Sequence, residues 1–293
     1  MGTKLSVWLE VVKRWFARYT AVYMPIFGRI LTAFFIRELY TELSYRTAFL
    51  LNFTGVIVST LSFFFISQLI GQSETAGLAE YGGDYFSFVI IGIALASYFT
   101  LGLGSFATGL RNAQVTGTLE AMLMTPAPLS AVVVGSALWS YVYETVRVSI
   151  YLLLGLLLGV RFQIGNPLAV LLILLLTIGS GASIGIFAAS IIMIIKRGNP
   201  ITTFVGSITT LAGGVWYPID ILPEWLQTLS AVIPLTYALN AMRSVLLLGA
   251  GWSELWSDLL ALFLFFVVLF PLSLLMFRVG VARARQEGSL AHY

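Results

Sequence analysis

The residues able to perform chemistry are few and poorly placed for it. The only histidine is His292, in the C-terminal tail, so a serine–histidine dyad within the apolar part of the chain is excluded. The aspartates are Asp84, Asp220 and Asp258, each at or outside the end of an apolar run. That placement argues against an aspartyl protease pair and against an aspartate-rich metal site for diphosphate substrates. Cysteine is absent, which removes thiol nucleophiles, structural disulfides and thiolate metal sites. The lysines Lys4, Lys13 and Lys196 are followed by Leu5, Arg14 and Arg197, so there is no GxxxxGK[ST] loop to cradle a phosphate. No catalytic residue, metal or cofactor is assigned to the chain. If ATP powers it, another chain binds the nucleotide.

One charged pair stands where charge is costly. Glu144 and Arg147 lie one helical turn apart inside a long apolar stretch, where each costs about 2.5–3.5 kcal/mol to insert, so such residues face the bundle interior and pair. Two readings fit: a self-neutralising pair that lets the helix insert, or a polar contact with substrate or a moving helix. The second includes an ion-coupled carrier or channel titrating at Glu144.

The elements that must position these residues are membrane helices. The chain has 293 residues, of which 59% are hydrophobic and 10% charged, and its mean hydropathy is +0.94. It reads as an all-α polytopic membrane protein. A span needs roughly 20 mostly apolar residues. Six stretches serve: Phe49 to Ile70, Tyr85 to Ala107, Leu129 to Val160, Pro167 to Ile195, Pro200 to Tyr217 and Leu255 to Val279. The third is longer than a bilayer needs and must tilt, break or project. Gly181, Gly185 and Ala189 in the fourth form a smooth stripe for close helix packing.

Charge sets the sidedness. The net charge of +3 matters less than its distribution, which points to membrane lipids and not to nucleic acid. Lys4, Lys13, Arg14, Arg18, Arg29, Arg37 and Arg46 precede span one, Arg111 follows span two, Lys196 and Arg197 follow span four, and Arg278, Arg283 and Arg285 close the chain. With six spans all of these fall on one face, predicted cytoplasmic together with both termini. The other face has Arg161 and Arg243 against Glu74, Glu80, Asp84, Asp220, Glu224, Glu254 and Asp258.

Three segments outside the spans carry pattern. Trp8, Val11, Val12, Trp15, Tyr19 and Val22 repeat at helical spacing opposite Glu10, Lys13, Arg14 and Arg18, as in a helix lying in the membrane surface. The charges interrupt any signal-peptide core, so this segment is expected to stay on the mature protein. A second helix, Arg29 to Arg46, presents Phe35, Ile36, Leu39 and Leu43, with Glu42 and Arg46 as an i,i+4 pair. A passive anchor and a lever that touches a soluble partner both fit. Between spans two and three, Thr118 caps a short helix, Glu120 favours its N-terminal dipole and Pro126 stops it, which puts Leu119, Met122 and Leu123 on one face. Such an apolar knob fits a groove on a partner, or rests on the membrane surface. Between spans five and six, Gly213, Gly214 and Pro218 end the span early, and Pro223 and Pro234 divide the connecting residues into short amphipathic helices. This segment is expected to dip back into the outer leaflet, with Trp216, Tyr217, Trp225 and Tyr237 as an interface belt or as an exit gate.

GTLEAMLMTPAPLSAVVVGSALW, from Gly117 to Trp139, and GGVWYPIDILPEWLQTLSAVIPLTYALNAMR, from Gly213 to Arg243, resemble the ABC-2 type permeases of ATP-binding-cassette exporters. The similarity covers nearly the whole chain. It implies a homodimer, or a heterodimer with a second permease, that pairs with two separate ATPase subunits holding ATP and Mg, in a bacterial or archaeal plasma (inner) membrane. It also implies that Gly117, Thr118, Leu119, Glu120, Met122, Leu123, Thr125 and Pro126 belong to a coupling helix (117–126) against the ATPase. Residues 5–46 would hold the same partner, and the re-entrant segment 218–236 would cap the outer exit. The corresponding division is 1–46 for the surface helices, 47–280 for the six-span domain and 281–293 for a cytoplasmic tail. The GTLE loop and PLTYALNAMR ending are nearer the drug and antibiotic exporters than the O-antigen or teichoic-acid glycan exporters, whose KxxFPRExxP-like loop is missing. The expected activity is export of a hydrophobic or amphipathic drug, lipid or glycolipid, with substrate contacts on spans one, two and five. Glycan export and a non-transporting scaffold are the alternatives.

Overall fold

The computed structural model describes residues 28–29, 31–40, 44, 46–70, 78, 84–115, 129–163, 165–195 and 200–286. The amphipathic stretch from Trp8 to Val22, the Glu42 and Arg46 pairing, the coupling segment Gly117 to Pro126 and His292 lie outside the described residues or side chains. The described elements are α1 (31–40), α2 (Arg46–Ile70), α3 (Tyr85–Val115), α4 (Leu129–Leu157), α5 (Pro167–Ile195), α6 (Pro200–Ala212), a 3₁₀ turn (Ile219–Ile221), α7 (Glu224–Ser230), α8 (Pro234–Leu247) and α9 (Trp252–Gln286). No strand occurs among the described residues. Among the described residues four helices are long and apolar enough to cross a membrane, and α7 with α8, bent by 85°, makes a fifth candidate if counted as one broken span. These four contain the first, second, fourth and sixth expected stretches. The third and fifth form α4, which carries the charged pair, and α6, whose 13 residues reach only about 20 Å at 1.5 Å per residue.

Helix α3 is the axis of the bundle. It packs against α4, α5 and α8, while α5 packs along α9 and α2 packs on the flank formed by α3 and α4. Phe86, Phe88, Val89, Ile90 and Ile91 are all buried, so this end of α3 is enclosed on every side. By contrast Leu51, Val58, Phe65 and Leu69 of α2 and Phe263, Leu264, Val268 and Leu275 of α9 are exposed. An apolar outward surface is what lipid requires.

The α3–α5 crossing is made by glycine. A Cβ on Gly185 would lie 2.3 Å from the Gly102 carbonyl oxygen, one on Gly181 would lie 2.8 Å from that of Phe99, and one on Gly102 would lie 2.8 Å from Ala182 N. The backbones therefore touch, and dispersion rather than water release holds them. Buried hydroxyls on α5 are satisfied within their own helix: Thr177 donates to Ile173 O (2.7 Å), Ser183 to Gly179 O (2.7 Å) and Ser190 to Ile186 O (2.8 Å). On the far side of α5, Phe266 of α9 lies over Gly179 and Gly280 abuts Ser190. Ala189, the last of the expected small-residue stripe, is buried as well.

Helix starts are capped where the acids lie. Asp84 accepts from Phe86 N (3.3 Å), Ser87 N (3.0 Å) and the Ser87 hydroxyl at the start of α3. Asn166 accepts from Leu168 N and Ala169 N at the start of α5, and Glu254 reaches back to Gly251 N at the start of α9. At the other end of the bundle α1 lies against α4, with Phe35 edge-on to Trp139 at 5.3 Å and Phe34 over Gly135. The half-buried residues of α1 are Leu31, Phe34, Phe35, Glu38 and Leu39. Ile36, expected on that side, is 45% exposed, because the contact with α4 selects the neighbouring stripe. Helix α9 continues through residue 280, the expected end of the membrane domain, to Gln286.

Gly185→Val is expected to push α3 and α5 apart and cost about 1–3 kcal/mol, the usual penalty of overpacking. Gly104→Val, whose Cβ meets nothing within 4 Å, is the control. Thermal unfolding of the detergent-purified variants checks this, and equal melting temperatures would contradict the close crossing.

Candidate functional site

The break after α6 determines the outer site. Helix α6 stops at Ala212 because a Cβ at Gly213 would meet Thr209 O at 2.3 Å and Gly214 turns into the left-handed region at φ 78°. The chain then passes through the 3₁₀ turn and α7 and re-enters the bundle as α8, with Pro234 in the first turn. Breaking a helix inside an apolar medium strands carbonyl groups. Side chains collect them. Tyr217 donates to Leu211 O, Ser230 to Ala212 O, Gln227 to Leu222 O (2.8 Å) and Asp220 O (3.3 Å), and Tyr237 to Ala231 O (2.9 Å).

Arg243 is the centre of this arrangement. Only 2% exposed, it donates through Nη2 to Gly214 O (2.9 Å) and Val215 O (3.1 Å), and through Nε to Phe88 O (3.3 Å). Its guanidinium carbon stands 3.4 Å from the centre of the Phe88 ring, a desolvated cation–π contact. One side chain on α8 thus joins the break after α6 to the start of α3. Gly92 completes the pocket, since a Cβ there would lie 2.2 Å from Val215 O and 2.8 Å from Arg243 Nη2. The sequence counts Arg243 among the cations of the outer face. The structure buries it in the bundle interior, where a planar fork can serve several carbonyls. The available signal was an arginine in an apolar segment on the face where cations are scarce.

The expected gate residues separate into two sets. Gly213, Gly214, Pro218 and Pro234 are buried and form the turns, while Tyr217 and Tyr237 are half-buried and hold carbonyls. Tyr237 also leans on Phe265 of α9 at 5.9 Å. Trp216, Pro223 and Trp225 face outward, Trp225 at 68% exposure.

Deeper in the bundle, Glu144 of α4 is buried, whereas the Arg147 side chain is 40% exposed, and Arg147 Nη1 lies 3.6 Å from Glu144 Oε2. Around them Tyr98 of α3 donates to Thr145 Oγ1 (2.9 Å), and Thr145 donates to Tyr141 O (2.7 Å). Tyr151 and Ser59 share a hydrogen bond of 3.0 Å that pins α4 to α2. No group of three or more His, Cys, Asp or Glu side chains suited to a metal occurs among the described residues.

Arg243→Met strands buried carbonyls that now accept from a charged donor, bonds worth about 1.5–3 kcal/mol each, and is expected to open the α7–α8 unit at least about tenfold more often. Because the chain has no native cysteine, Leu226→Cys, at a buried position, reports opening through its maleimide labelling rate. Labelling unchanged by Arg243→Met would refute the role assigned to Arg243.

The ABC-2 type transporter family matches residues 2–247. The inner membrane transport permease YadH of Escherichia coli K12 is 29% identical over 192 residues, which cover 64% of this chain and 72% of YadH, and the YadH of Shigella flexneri aligns equally. ABC transporter G family member 20 of Dictyostelium discoideum is 24% identical over 168 residues, 55% of this chain and 23% of that protein. With its apolar helices, its bent helix pair and no phosphate loop of its own, this multi-pass membrane permease belongs to the ABC-2 type transporter family.

Proposed function

We propose that the chain is the transmembrane half of an ABC exporter, a homodimer or a heterodimer with a second permease, driven by two copies of a separate ATPase that bind ATP and Mg. The observation that carries the reading is the re-entrant α7–α8 unit, with its freed carbonyls held by Arg243, Ser230, Gln227, Tyr217 and Tyr237, in a chain of this family. A broken helix pair fixed so thoroughly is suited to cap an exit and to move as one body. Helices α2, α3, α4, α5 and α9 cross the membrane and α6 with its re-entrant continuation makes the sixth passage, with both termini cytoplasmic in a bacterial or archaeal plasma membrane. Residues 1–46 form the surface helices, 47–280 the membrane domain and 281–293 the tail.

The coupling segment 117–126, with Leu119, Met122 and Leu123 as its apolar knob, receives the ATPase stroke. Closure of the ATPases switches the pathway between inward-open and outward-open at the dimer interface. The substrate is a hydrophobic or amphipathic drug, lipid or glycolipid, and the loop motifs favour the drug and antibiotic branch over glycan export. Purification with the product of its neighbouring gene tests this. A stable complex is expected, with hydrolysis stimulated by the permease, and Leu119→Asp or Met122→Asp is expected to cut that stimulation at least about tenfold, the effect of a charge buried in an apolar groove. Absence of a complex, or hydrolysis indifferent to both variants, would refute coupling. Transport by the isolated chain in liposomes under an ion gradient, abolished by Glu144→Gln, would support the ion-coupled carrier instead.

A further inference from the structure

Glu144 and Arg147 neutralise one another without using their hydrogen bonds. Their 3.6 Å separation exceeds the roughly 2.7–2.9 Å of a charge-assisted bond. Glu144 Oε1 and Arg147 Nε are both buried and have no hydrogen-bond partner, although Glu144 is only 6% exposed. A pair serving only to cancel charge in an apolar medium would close to a bidentate contact, since each unused polar group there is costly. Tyr98 and Thr145, beside the pair, do not supply the missing bonds. Tyr98 is committed to Thr145, and Thr145 to the Tyr141 carbonyl.

The ligand that completes both side chains carries an N–H cation for the carboxylate and an anionic oxygen for the guanidinium, on one small head. We propose that this side of α4 is a binding site for a zwitterionic amphipath with an ammonium and a phosphate, the chemistry of a phosphoethanolamine headgroup. Its phosphate meets the partly exposed Arg147 guanidinium, and its ammonium reaches Glu144 Oε1, enclosed in this structure, when the Glu144 side chain turns toward the exposed face.

Position supports this. Trp139 of α4 meets Phe35 of α1, a helix bearing the exposed Arg37 and Tyr40 at one end of the bundle. Glu144 and Arg147 are five and eight residues further along, about 7 and 12 Å deeper at 1.5 Å per residue. Helical side chains tilt toward the N-terminus, here toward the α1 end, and the partly exposed Arg147 snorkels the same way. A headgroup drawn about 7–12 Å below the α1 level, a large part of the roughly 15 Å depth of one leaflet's hydrocarbon, therefore reaches both, while its chains lie over the exposed Val142 and Val146. The source is either a membrane phospholipid or a free zwitterion of the same chemistry.

The full-length protein, reconstituted in nanodiscs of mixed phosphatidylethanolamine, phosphatidylglycerol and phosphatidylcholine, is then delipidated and examined by native mass spectrometry. Wild type is expected to retain phosphatidylethanolamine about tenfold over the other two, the discrimination of one charge-assisted hydrogen bond. Phosphatidylglycerol has no cation, and the quaternary ammonium of phosphatidylcholine has no N–H. Glu144→Gln is expected to erase the preference while Glu144→Asp keeps part of it. If Glu144→Gln does not fold, the wild-type lipid series alone decides. Displacement by glycerophosphoethanolamine identifies a soluble zwitterion, and retention against it a lipid. Either outcome upholds the site. Equal retention of the three lipids by wild type, or an unchanged preference in Glu144→Gln, overturns it.

Discussion

A guanidinium buried among backbone carbonyls is the constraint around which this permease is built. Ending α6 inside the apolar region leaves Gly214 O and Val215 O without helical donors, and Arg243 supplies both while also binding Phe88 O. The desolvated charge is compensated by carbonyl dipoles and by the Phe88 ring. Neither half is stable alone: the break needs a multivalent donor, and the buried cation needs acceptors. Their mutual satisfaction fixes where α8 enters the bundle.

That contact requires a rigid partner, which α3 provides. Gly102 meets Gly181 and Gly185 of α5 backbone to backbone, and Gly92 admits the Val215 carbonyl near the other end of the same helix. Small residues along one helix thus create both the scaffold and the socket. Helix α9 closes the other side of α5. The outer unit rests on a core held by dispersion and a few polar contacts, as expected where lipid gives helices no hydrophobic reason to associate.

The polar character of α4 is of a different kind. Arg243 uses its donors on fixed carbonyls, whereas Glu144 and Arg147 leave bonding capacity unused beside exposed Val142 and Val146. One charge serves the architecture; the other two are available to a ligand. Membership of the ABC-2 type transporter family gives both a shared setting, the transmembrane permease subunit of such a transporter.

The sequence by itself determined what depends on composition and local chemistry. Apolar runs of span length gave the helices, proline and glycine placed the breaks at Gly213, Pro223 and Pro234, and the missing phosphate loop left the chain without a nucleotide cradle of that kind. Gly181 and Gly185 marked a packing face because small residues at four-residue spacing have few other uses in a membrane helix. Only the tertiary structure decided which helix meets that face, that Arg243 turns inward, and that Trp225 faces out while Tyr237 holds a carbonyl. It also decided that Glu144 and Arg147 stop 3.6 Å apart, where spacing alone allowed a closed pair. Periodicity tells which residues share a face, but whether a polar side chain on that face finds a donor, an acceptor or lipid depends on segments far away in the chain.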